Sequence, residues 1–372
     1  MISKKMNREK VVLGLSGGVD STAAALLLQE KGYEVIGLYF DIFKDENRGH
    51  KGRAAAELAA KELGIKFICK NVSSLFEDKV IGNFCSEYVC GRTPNPCIVC
   101  NPNIKFKILA ETADEEGAVY IATGHYAGTY YDEKEDIWYI KRAANERKDQ
   151  SYMLYRLGQN IISRLLLPLN DAENKEDVRN IARKRALNNA EAKDSQEICF
   201  IEDGGSYKEF LAGKGYEAVK GDFVDKEGNL LGQHKGIYNY TIGQRKGLGI
   251  ALGKPAFVTG IDGSRNQVII GENEELFKKE IISSGNILMG IDFEKLGIDN
   301  SESISLGLIG FGKNDGITAK IRYAAKPSPA FVNLMKDGRL LTVFEEPQRA
   351  ATPGQSIVFY KDGLVIGGGF ID

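Results

Sequence analysis

The sequence predicts an α/β protein that begins with a doubly wound parallel sheet, continues with a small central domain and ends in a β-barrel. Residues 11–32 have the pattern strand, glycine turn, helix. A second apolar strand, 33–40, starts about twenty residues after the first, which is the spacing of a parallel βαβ unit. After Phe200 glycine-rich segments replace this pattern, and from about Phe277 short alternating strands separated by turns are typical of a barrel. We therefore expect domains at 1–205, 206–276 and 277–372.

Composition and charge are those of a soluble globular protein, with 43% hydrophobic residues, 27% charged residues and a formal net charge of −2. No apolar run is long enough to predict a membrane span, and the polar, basic residues 1–10 do not resemble a signal peptide. We expect a cytoplasmic protein whose six cysteines are reduced. Because the net charge is slightly negative, nucleic-acid binding would need local basic patches, such as 183–185 or 245–246.

The turn after the first strand is suited to hold phosphate. Gly17 and Gly18 open a helix, which directs free backbone N–H groups and the positive end of the helix dipole toward one point. The turn lacks the lysine and the length of a GxxxxGK[ST] loop. Residues 16–21, SGGVDS, instead resemble the SGGxDS loop of PP-loop ATP pyrophosphatases, which are adenine nucleotide α-hydrolase-like enzymes that pass AMP to a substrate and release pyrophosphate. An ordinary strand–turn–helix is the alternative.

Other candidate residues stand at strand ends, where parallel sheets bind ligands. Phe40 ends the second strand and would either stack on a purine or pack as a buried aromatic. Gly124 and His125 end a later apolar strand, a position that favours contact with a substrate. The polar stretch 147–152 is, on its chemistry alone, a solvated charge run. Cys199 lies in an apolar, strand-like context that by itself indicates a buried thiol.

Residues 91–106 contain three prolines and three asparagines, which predicts a stiff loop without a regular element. The loop carries a CxxC pair, Cys97 and Cys100, which in many proteins is half of a zinc site. Cys85 and Cys90 do not complete such a site. They lie on a predicted helix, and five residues rotate the side chain by about 140°.

Six motifs, taken in chain order, resemble the MnmA family of tRNA-specific 2-thiouridylases. The resemblance runs from about residue 10 to the end of the sequence, and six motifs in one order are a specific signal. The motifs are SGGVDS at 16–21, TPNPCIVCNPNIKF at 93–106, ATGHY at 122–126, KDQSY at 148–152, KDSQEICFI at 193–201 and TPGQ at 352–355.

The resemblance implies a reaction. In that family ATP adenylates the C2 oxygen of the wobble uridine, U34, and sulfur from a cysteine persulfide then replaces the activated oxygen. Cys100 would be the nucleophile and Cys199 the persulfide carrier. The implied cofactors are ATP and Mg²⁺, the latter near Asp20. The implied partners are tRNA and a sulfur donor, such as a cysteine desulfurase or a sulfur-relay protein.

The resemblance also implies which residues contact each ligand. The ATP-binding set is Gly14, Leu15, Ser16, Gly17, Gly18, Val19, Asp20, Ser21, Phe40 and Gly124. The tRNA-binding set is Asn95, Pro96, Cys97, His125, Lys148, Asp149, Gln150, Arg322, Tyr323 and Gln355.

One position departs from the family pattern, because Cys97 stands where relatives commonly have an aspartate. The acidic group expected near the uracil is therefore absent. Cys97, Cys100 and Cys199 also resemble the cysteines of other PP-loop tRNA thiolases, where three thiolates hold a [4Fe-4S] cluster that carries sulfide. Persulfide and cluster chemistry remain alternatives, and both produce 2-thiouridine.

Two more distant functions stay open. The first is another PP-loop AMP-forming ligase, such as an amidotransferase-type or argininosuccinate synthetase, which needs no pair of reactive cysteines. The second is a non-catalytic RNA-binding iron–sulfur protein, which has no use for an intact SGGVDS loop.

Overall fold

The computed structural model describes residues 8–184, 198–201, 204–250, 253–291, 304–305 and 316–372. The chain divides into two compact units. Unit 1 comprises Met1–Val80, Cys97–Phe200 and Gly363–Val365. Unit 2 comprises Ile81–Pro96, Ile201–Asp362 and Ile366–Asp372.

The described chain alternates helices and strands at first and is rich in strands afterwards. The α-helices are α1 Val19–Glu30, α2 Glu46–Leu63, α3 Ser73–Phe76, α4 Gly82–Val89, α5 Pro96–Cys100, α6 Phe106–Glu115, α7 Gln159–Ile162, α8 Lys175–Lys184 and α9 Tyr207–Gly213. The strands are β1 Lys10–Gly14, β2 Glu34–Asp41, β3 Lys66–Asn71, β4 Tyr120–Ala122, β5 Ala127–Asp132, β6 Ile137–Arg142, β7 Leu165–Leu166, β8 Gly221–Val224, β9 Leu230–His234, β10 Phe257–Asp262, β11 Gln267–Gly271, β12 Phe277–Leu288, β13 Ile304–Ser305, β14 Thr318–Lys320, β15 Ser328–Leu334, β16 Leu340–Arg349, β17 Ser356–Lys361 and β18 Leu364–Ile371.

Unit 1 is built on a five-stranded parallel sheet in the order β3-β2-β1-β4-β7. In the central strand, Val12 pairs with Ile36 of β2 on one side and with Ile121 of β4 on the other. Because the chain moves from β1 to one side and later returns to the other, a crevice opens beyond the carboxyl ends of β1 and β4. The predicted parallel sheet is confirmed.

Helix α1 packs on this sheet through small and aliphatic residues. Its sequence is rich in alanine and leucine, which are strong helix formers. Ala23 and Ala24 are fully buried beside Val11 and Leu13 of β1, and their short side chains let the helix approach the sheet closely. Each buried leucine or valine stabilises the fold by about 1.5–3 kcal/mol. The helix ends just before Gly32, whose φ of +92° suits glycine.

A hairpin of β5 and β6 follows β4. Its strands are antiparallel, and Tyr130 pairs with Tyr139. Strand β6 also pairs with Leu364 and Val365, which belong to the same unit.

Unit 2 contains a four-stranded sheet and a closed barrel. The sheet has the order β10-β11-β8-β9, with Phe223, Val258 and Val268 fully buried in its core. The barrel strands follow the order β12-β16-β15-β14-β17-β18, and β18 pairs back to β12 through Ile371 and Ser283. These findings confirm the predicted small domain and C-terminal barrel. The boundaries 1–205, 206–276 and 277–372 stay a prediction.

One expectation about local structure is wrong. The segment 91–106 is a loop only at its start, since α5, a π-helical turn over Asn101–Lys105 and α6 follow without a break. Pro96 and Pro102 stand in the first turn of their elements, where a backbone N–H is not needed. Strand β14 ends at Lys320, so that Arg322 and Tyr323 lie beyond it.

Among the residues that the structure describes, no helix has the length and apolar character needed to cross a membrane.

Candidate active site

The turn between β1 and α1 has the geometry of a phosphate-binding loop. Gly17 has a φ of +78°, and a Cβ atom there would lie 2.6 Å from the backbone of Ala55 and Ala56. Only glycine therefore lets the turn pass this close to α2. Gly18 is the N-cap residue of α1, and in the described chain no side chain caps this helix end. The first turn of such a helix is a common binding site for an anion.

Two serines shape the turn from within. The Ser21 hydroxyl accepts a hydrogen bond from the Ser16 backbone N–H at 3.2 Å and donates to the Gly18 carbonyl at 3.0 Å. The Ser16 hydroxyl accepts from the Gly18 N–H at 3.3 Å. The serines of the motif therefore hold the conformation of the turn.

The end of β4 lies against this loop. A Cβ atom on Gly124 would lie 2.9 Å from the backbone of Asp20 and Ser21, so Gly124 contacts the first turn of α1. Phe40, at the end of β2, places its Cε2 atom 3.4 Å from where a Cβ atom of Gly14 would stand. Residues predicted to bind ATP therefore meet at one edge of the sheet, beyond three strand ends.

Three cysteines cluster in unit 1. Cys97 and Cys100 are three residues apart on α5 and so lie on one helix face, the first exposed and the second half-buried. Cys199 is exposed in a turn, which corrects the expectation of a buried thiol in a strand. Phe200, which follows it, is buried and meets Phe76 edge to face with ring centroids 5.7 Å apart. The apolar residues of this segment therefore anchor it.

The pKa shifts of the thiols show that these groups are close neighbours. Surrounding protein atoms desolvate the Cys100 thiolate and raise its pKa to about 11, and they raise the pKa of Cys199 to about 12. The charge of Cys100 contributes to the raised pKa of Cys199, whereas the positive charge of Lys105 opposes both increases. Desolvation outweighs the lysine, so both thiols are protonated at neutral pH.

His125 follows Gly124, which contacts α1, and lies near Lys105. Its Nδ1 is 2.7 Å from the Thr123 hydroxyl, and its ring stacks on Phe106. Burial first, and the charge of Lys105 second, lower its pKa well below the usual value, so the imidazole is neutral at pH 7. Residues 123–126 therefore contact α1 through Gly124 and lie near Lys105 through His125.

The predicted tRNA contacts at 148–150 are engaged inside unit 1. Asp149 is buried and accepts hydrogen bonds from Arg142 Nε at 3.1 Å and from the backbone N–H groups of Ala143 and Ser151 at 3.2 and 3.1 Å. The interpretation of this stretch as a solvated charge run is wrong for Asp149. Lys148 and Gln150 are half-buried.

The remaining predicted tRNA contacts, apart from Cys97 and His125, belong to unit 2. The Gln355 amide donates to the Thr93 carbonyl at 2.8 Å, which ties the TPGQ motif to the TPNP motif. Arg322 is half-buried and donates through Nη1 to the Arg349 carbonyl at 2.9 Å. Tyr323 has the Lys320 ammonium over its ring, 5.7 Å from the centroid. Asn95 and Pro96 are half-buried, and residues 193–197 of the KDS motif lie outside the described residues.

Sequence reasoning gave no role to two residues that the structure places at the site, Lys105 and Tyr126. Both lie inside motifs, IKF and GHY, and this was the available signal. The Tyr126 hydroxyl donates to Asp20 Oδ1 at 2.8 Å.

The acidic and thiol groups differ in their fitness for metals. Within the described ranges, no three or more cysteine, histidine or acidic side chains are arranged to hold a metal ion. Asp20 supplies one carboxylate beside the phosphate loop, which fits Mg²⁺ because this ion is usually held by one or two carboxylates together with substrate phosphates.

The fold and the loop define a class: a nucleotide-binding α/β domain whose glycine turn before a helix has the geometry to bind phosphate, with a group of cysteines in the same unit. Family models described as the tRNA methyl transferase HUP domain, the tRNA methyl transferase PRC-barrel domain and the aminomethyltransferase beta-barrel domain match residues 9–203, 208–272 and 310–371.

Full-length relatives make the assignment more specific. The chain is 44% identical over 380 residues to tRNA-specific 2-thiouridylase MnmA 2 of Caldanaerobacter subterraneus subsp. tengcongensis, with 99% of each protein covered. It is 46% identical over 376 residues to tRNA-specific 2-thiouridylase MnmA of Clostridium acetobutylicum, covering 98% of this chain and 100% of the relative. The chain belongs to the MnmA family of tRNA-specific 2-thiouridylases.

Proposed function

We propose that this protein is an ATP-dependent tRNA-uridine 2-sulfurtransferase that forms 2-thiouridine at the wobble position, U34. The observation that carries the proposal is that one unit contains both halves of such a reaction. Unit 1 contains a phosphate loop with an acidic residue, Asp20, and a cluster of thiols near Lys105, and residues 123–126 contact Asp20 and lie near Lys105. Family membership with named 2-thiouridylases supports the same conclusion.

The first step is adenylation of the uracil. The C2 oxygen attacks the α-phosphorus of ATP, a P–O bond forms, and pyrophosphate leaves. The N–H groups at the start of α1 and Mg²⁺ near Asp20 would neutralise the charge of the departing pyrophosphate. The step converts a poor leaving group, the oxygen on C2, into AMP.

The second step is sulfur transfer. The terminal sulfur of a Cys199 persulfide attacks C2, and AMP leaves with the former oxygen. Cys100 then releases its proton to solvent, and its thiolate attacks Cys199 Sγ, so that the sulfur–sulfur bond to the substrate breaks, a Cys100–Cys199 disulfide forms and sulfur remains on C2. The two thiols supply the two electrons that reduce the persulfide sulfur, and an external thiol reductant must restore them afterwards.

The surroundings of the two thiols suit these roles. Cys199 is exposed, so a sulfur-donor protein such as a cysteine desulfurase or a relay protein can reach it. Cys100 is half-buried, and its desolvated thiol is protected from reaction until a substrate is in place. The charge of Cys100 contributes to the raised pKa of Cys199, so the two thiols are near each other, and this supports a disulfide between them.

A [4Fe-4S] cluster on Cys97, Cys100 and Cys199 is the alternative sulfur carrier. The three thiols are neighbours, which supports it, whereas they are not arranged around one metal position among the described residues. Anaerobic purification with iron and sulfide assays, run beside a thiolation assay, distinguishes the two. Activity without iron would exclude the cluster, and iron-dependent activity would exclude the persulfide route.

The tRNA would bind through local cations and motif residues, since the net charge is −2. Candidates are Lys148 in unit 1 and Arg322, Tyr323 and Gln355 in unit 2. Several of these side chains already hold internal hydrogen bonds, so they would offer the tRNA their remaining donors and faces.

The test is reconstitution. Purified protein, Mg²⁺, ATP, a persulfide donor and an unmodified tRNA with U34 should yield 2-thiouridine by mass spectrometry, together with AMP and pyrophosphate. A matched tRNA with cytidine at position 34 should yield neither. Thiolation without AMP formation, or AMP formation independent of U34, would contradict the proposal.

A further inference from the structure

The carboxylate of Asp20 is held by a residue far away in the sequence. The Tyr126 hydroxyl donates to Asp20 Oδ1 at 2.8 Å, although the two residues are 106 positions apart. Tyr126 is 3% exposed and belongs to the apolar core beneath α1, so its ring cannot swing away without disturbing that core. Asp20 is half-buried in the first turn of α1, inside the phosphate loop.

The backbone of Tyr126 is fixed in turn by Gln150. The Tyr126 N–H donates to Gln150 Oε1 at 2.9 Å, and the Gln150 N–H donates to the Tyr126 carbonyl at 2.8 Å. Two hydrogen bonds in opposite directions fix both the position and the direction of this peptide, much as a pair of strand residues do.

Asp149, the residue before Gln150, anchors this segment. Asp149 is buried in an ion pair with Arg142 and accepts two backbone N–H groups. A buried carboxylate with three donors is satisfied and costly to displace. The contacts therefore form a continuous path from Arg142 and Asp149 through Gln150 and Tyr126 to Asp20.

We infer that Tyr126, held by Gln150, is a positioning residue that fixes the orientation of the Asp20 carboxylate in the phosphate loop for Mg·ATP. The KDQ and GHY motifs thus act together as an internal support of the nucleotide site. The inference rests on the proposed ATP-dependent function. It assigns to Gln150 and Asp149 a task besides any contact with tRNA.

The physical reason is preorganisation. An aspartate in the first turn of a helix can occupy several rotamers, whereas a ligand to a cation must present its oxygen in one direction. A hydrogen bond from a buried phenol selects one of these orientations before the nucleotide arrives, so less conformational freedom is lost on binding.

The test compares two phenol deletions. Tyr126→Phe removes the hydrogen bond to Asp20. Tyr139→Phe removes an equivalent bond from another buried tyrosine of unit 1, whose hydroxyl donates to Glu135 Oε2 at 2.7 Å. Affinity for ATP is measured by calorimetry without tRNA at several Mg²⁺ concentrations, and thermal melting is measured alongside.

We expect Tyr126→Phe to raise the Mg²⁺ concentration needed for half-maximal ATP affinity by about tenfold, the change that corresponds to one hydrogen bond to a charged group. Tyr139→Phe should leave it unchanged. A lower melting temperature for Tyr126→Phe with an unaltered Mg²⁺ dependence would overturn the inference, since the hydroxyl would then be merely structural.

A second measurement isolates the pair. In an Asp20→Asn background, Tyr126→Phe should have little further effect on Mg²⁺-dependent ATP affinity, whereas independent, additive losses would contradict the inference. Failure of the wild-type protein to thiolate tRNA would refute the proposed function, and it would do so in a different assay from the one that tests Tyr126.

Discussion

The imidazole of His125 stacks on the ring of Phe106, with the centroids 5.9 Å apart and the planes at 26°. His125 follows β4, beside the phosphate loop, and Phe106 begins α6, directly after the turn that carries Lys105. This contact joins the nucleotide-binding part of unit 1 to the part that carries the cysteines. Because burial keeps His125 neutral, it adds no second positive charge near Lys105.

Acidification should weaken the fold through the buried histidines. His234 accepts a hydrogen bond from the Gly236 N–H at Nδ1 and places Nε2 3.0 Å from the Asn266 carbonyl, and burial lowers its pKa. A histidine whose pKa is lowered in the folded state stabilises the fold at a pH above its unfolded pKa of about 6.5. This stabilisation is lost as the pH falls through the folded pKa. His125 contributes with the same sign. We expect the urea concentration at the unfolding midpoint to decrease as the pH falls below 6.5. This decrease per pH unit should be smaller in His234→Asn, and equal decreases in the two proteins would contradict the prediction.

Gly17→Ala should abolish nucleotide binding. The new Cβ atom would lie 2.6 Å from the backbone of α2 at a φ of +78°, so the loop must change shape. Gly32→Ala is the control, because it has a φ of +92° but nothing within 4 Å. Both variants carry a backbone cost of about 1 kcal/mol. ATP affinity by calorimetry should be lost only in Gly17→Ala, and equal affinities would remove the loop from the site.

Cys100→Ser and Cys199→Ser should each abolish thiolation of tRNA while ATP affinity stays within about twofold of wild type, since neither thiol belongs to the phosphate loop. Cys90→Ser is the control, because Cys90 is also exposed but lies in unit 2. Mass spectrometry of the tRNA nucleosides checks the outcome. Substantial 2-thiouridine from either of the first two variants would remove that cysteine from the mechanism.

Lys105 should set the reactivity of the thiols. Its charge lowers the pKa of both Cys100 and Cys199, so Lys105→Met should raise both values and reduce the thiolate fraction at a given pH. We expect alkylation of Cys100 by iodoacetamide at pH 8.5 to slow by at least about threefold, which corresponds to a rise of about half a unit in the pKa of Cys100. Lys107→Met, an exposed neighbour on α6, should react like wild type, and equal rates in the two variants would exclude this role for Lys105.

Asp149→Ala should destabilise unit 1 by about 3 kcal/mol, because it removes the buried carboxylate that pairs with Arg142 and accepts two buried backbone N–H groups. Glu146→Ala removes the other carboxylate on the same arginine, 3.5 Å away and 79% exposed, and should cost less than about 1 kcal/mol. Urea unfolding measures both. If Asp149→Ala instead weakened tRNA binding at unchanged stability, Asp149 would be a tRNA contact and not an internal anchor.

Local patterns predicted much of the fold. Apolar runs at βαβ spacing predicted the parallel sheet, and alternating strands with turn residues predicted the barrel, because hydrophobic periodicity reports directly which face is buried. The prolines of 91–106 predicted a loop where the structure has helical elements. Proline excludes a helix interior but is accepted in a first turn, and two consecutive helical elements each placed their proline there.

For the candidate site too, the sequence predicted one part and the tertiary structure decided another. The resemblance of the motifs along the chain predicted that the SGGVDS turn is a phosphate loop and that the paired cysteines are its chemical partners. The cysteines by themselves indicated only half of a zinc site and a buried thiol, because a short pattern with a cysteine has several common chemistries. Only the tertiary structure decided that Asp149 is buried, that Cys199 is exposed, and that Tyr126 reaches Asp20 across 106 positions. Burial and long-range hydrogen bonds depend on which segments pack together, and that information is not contained in any local stretch of the chain.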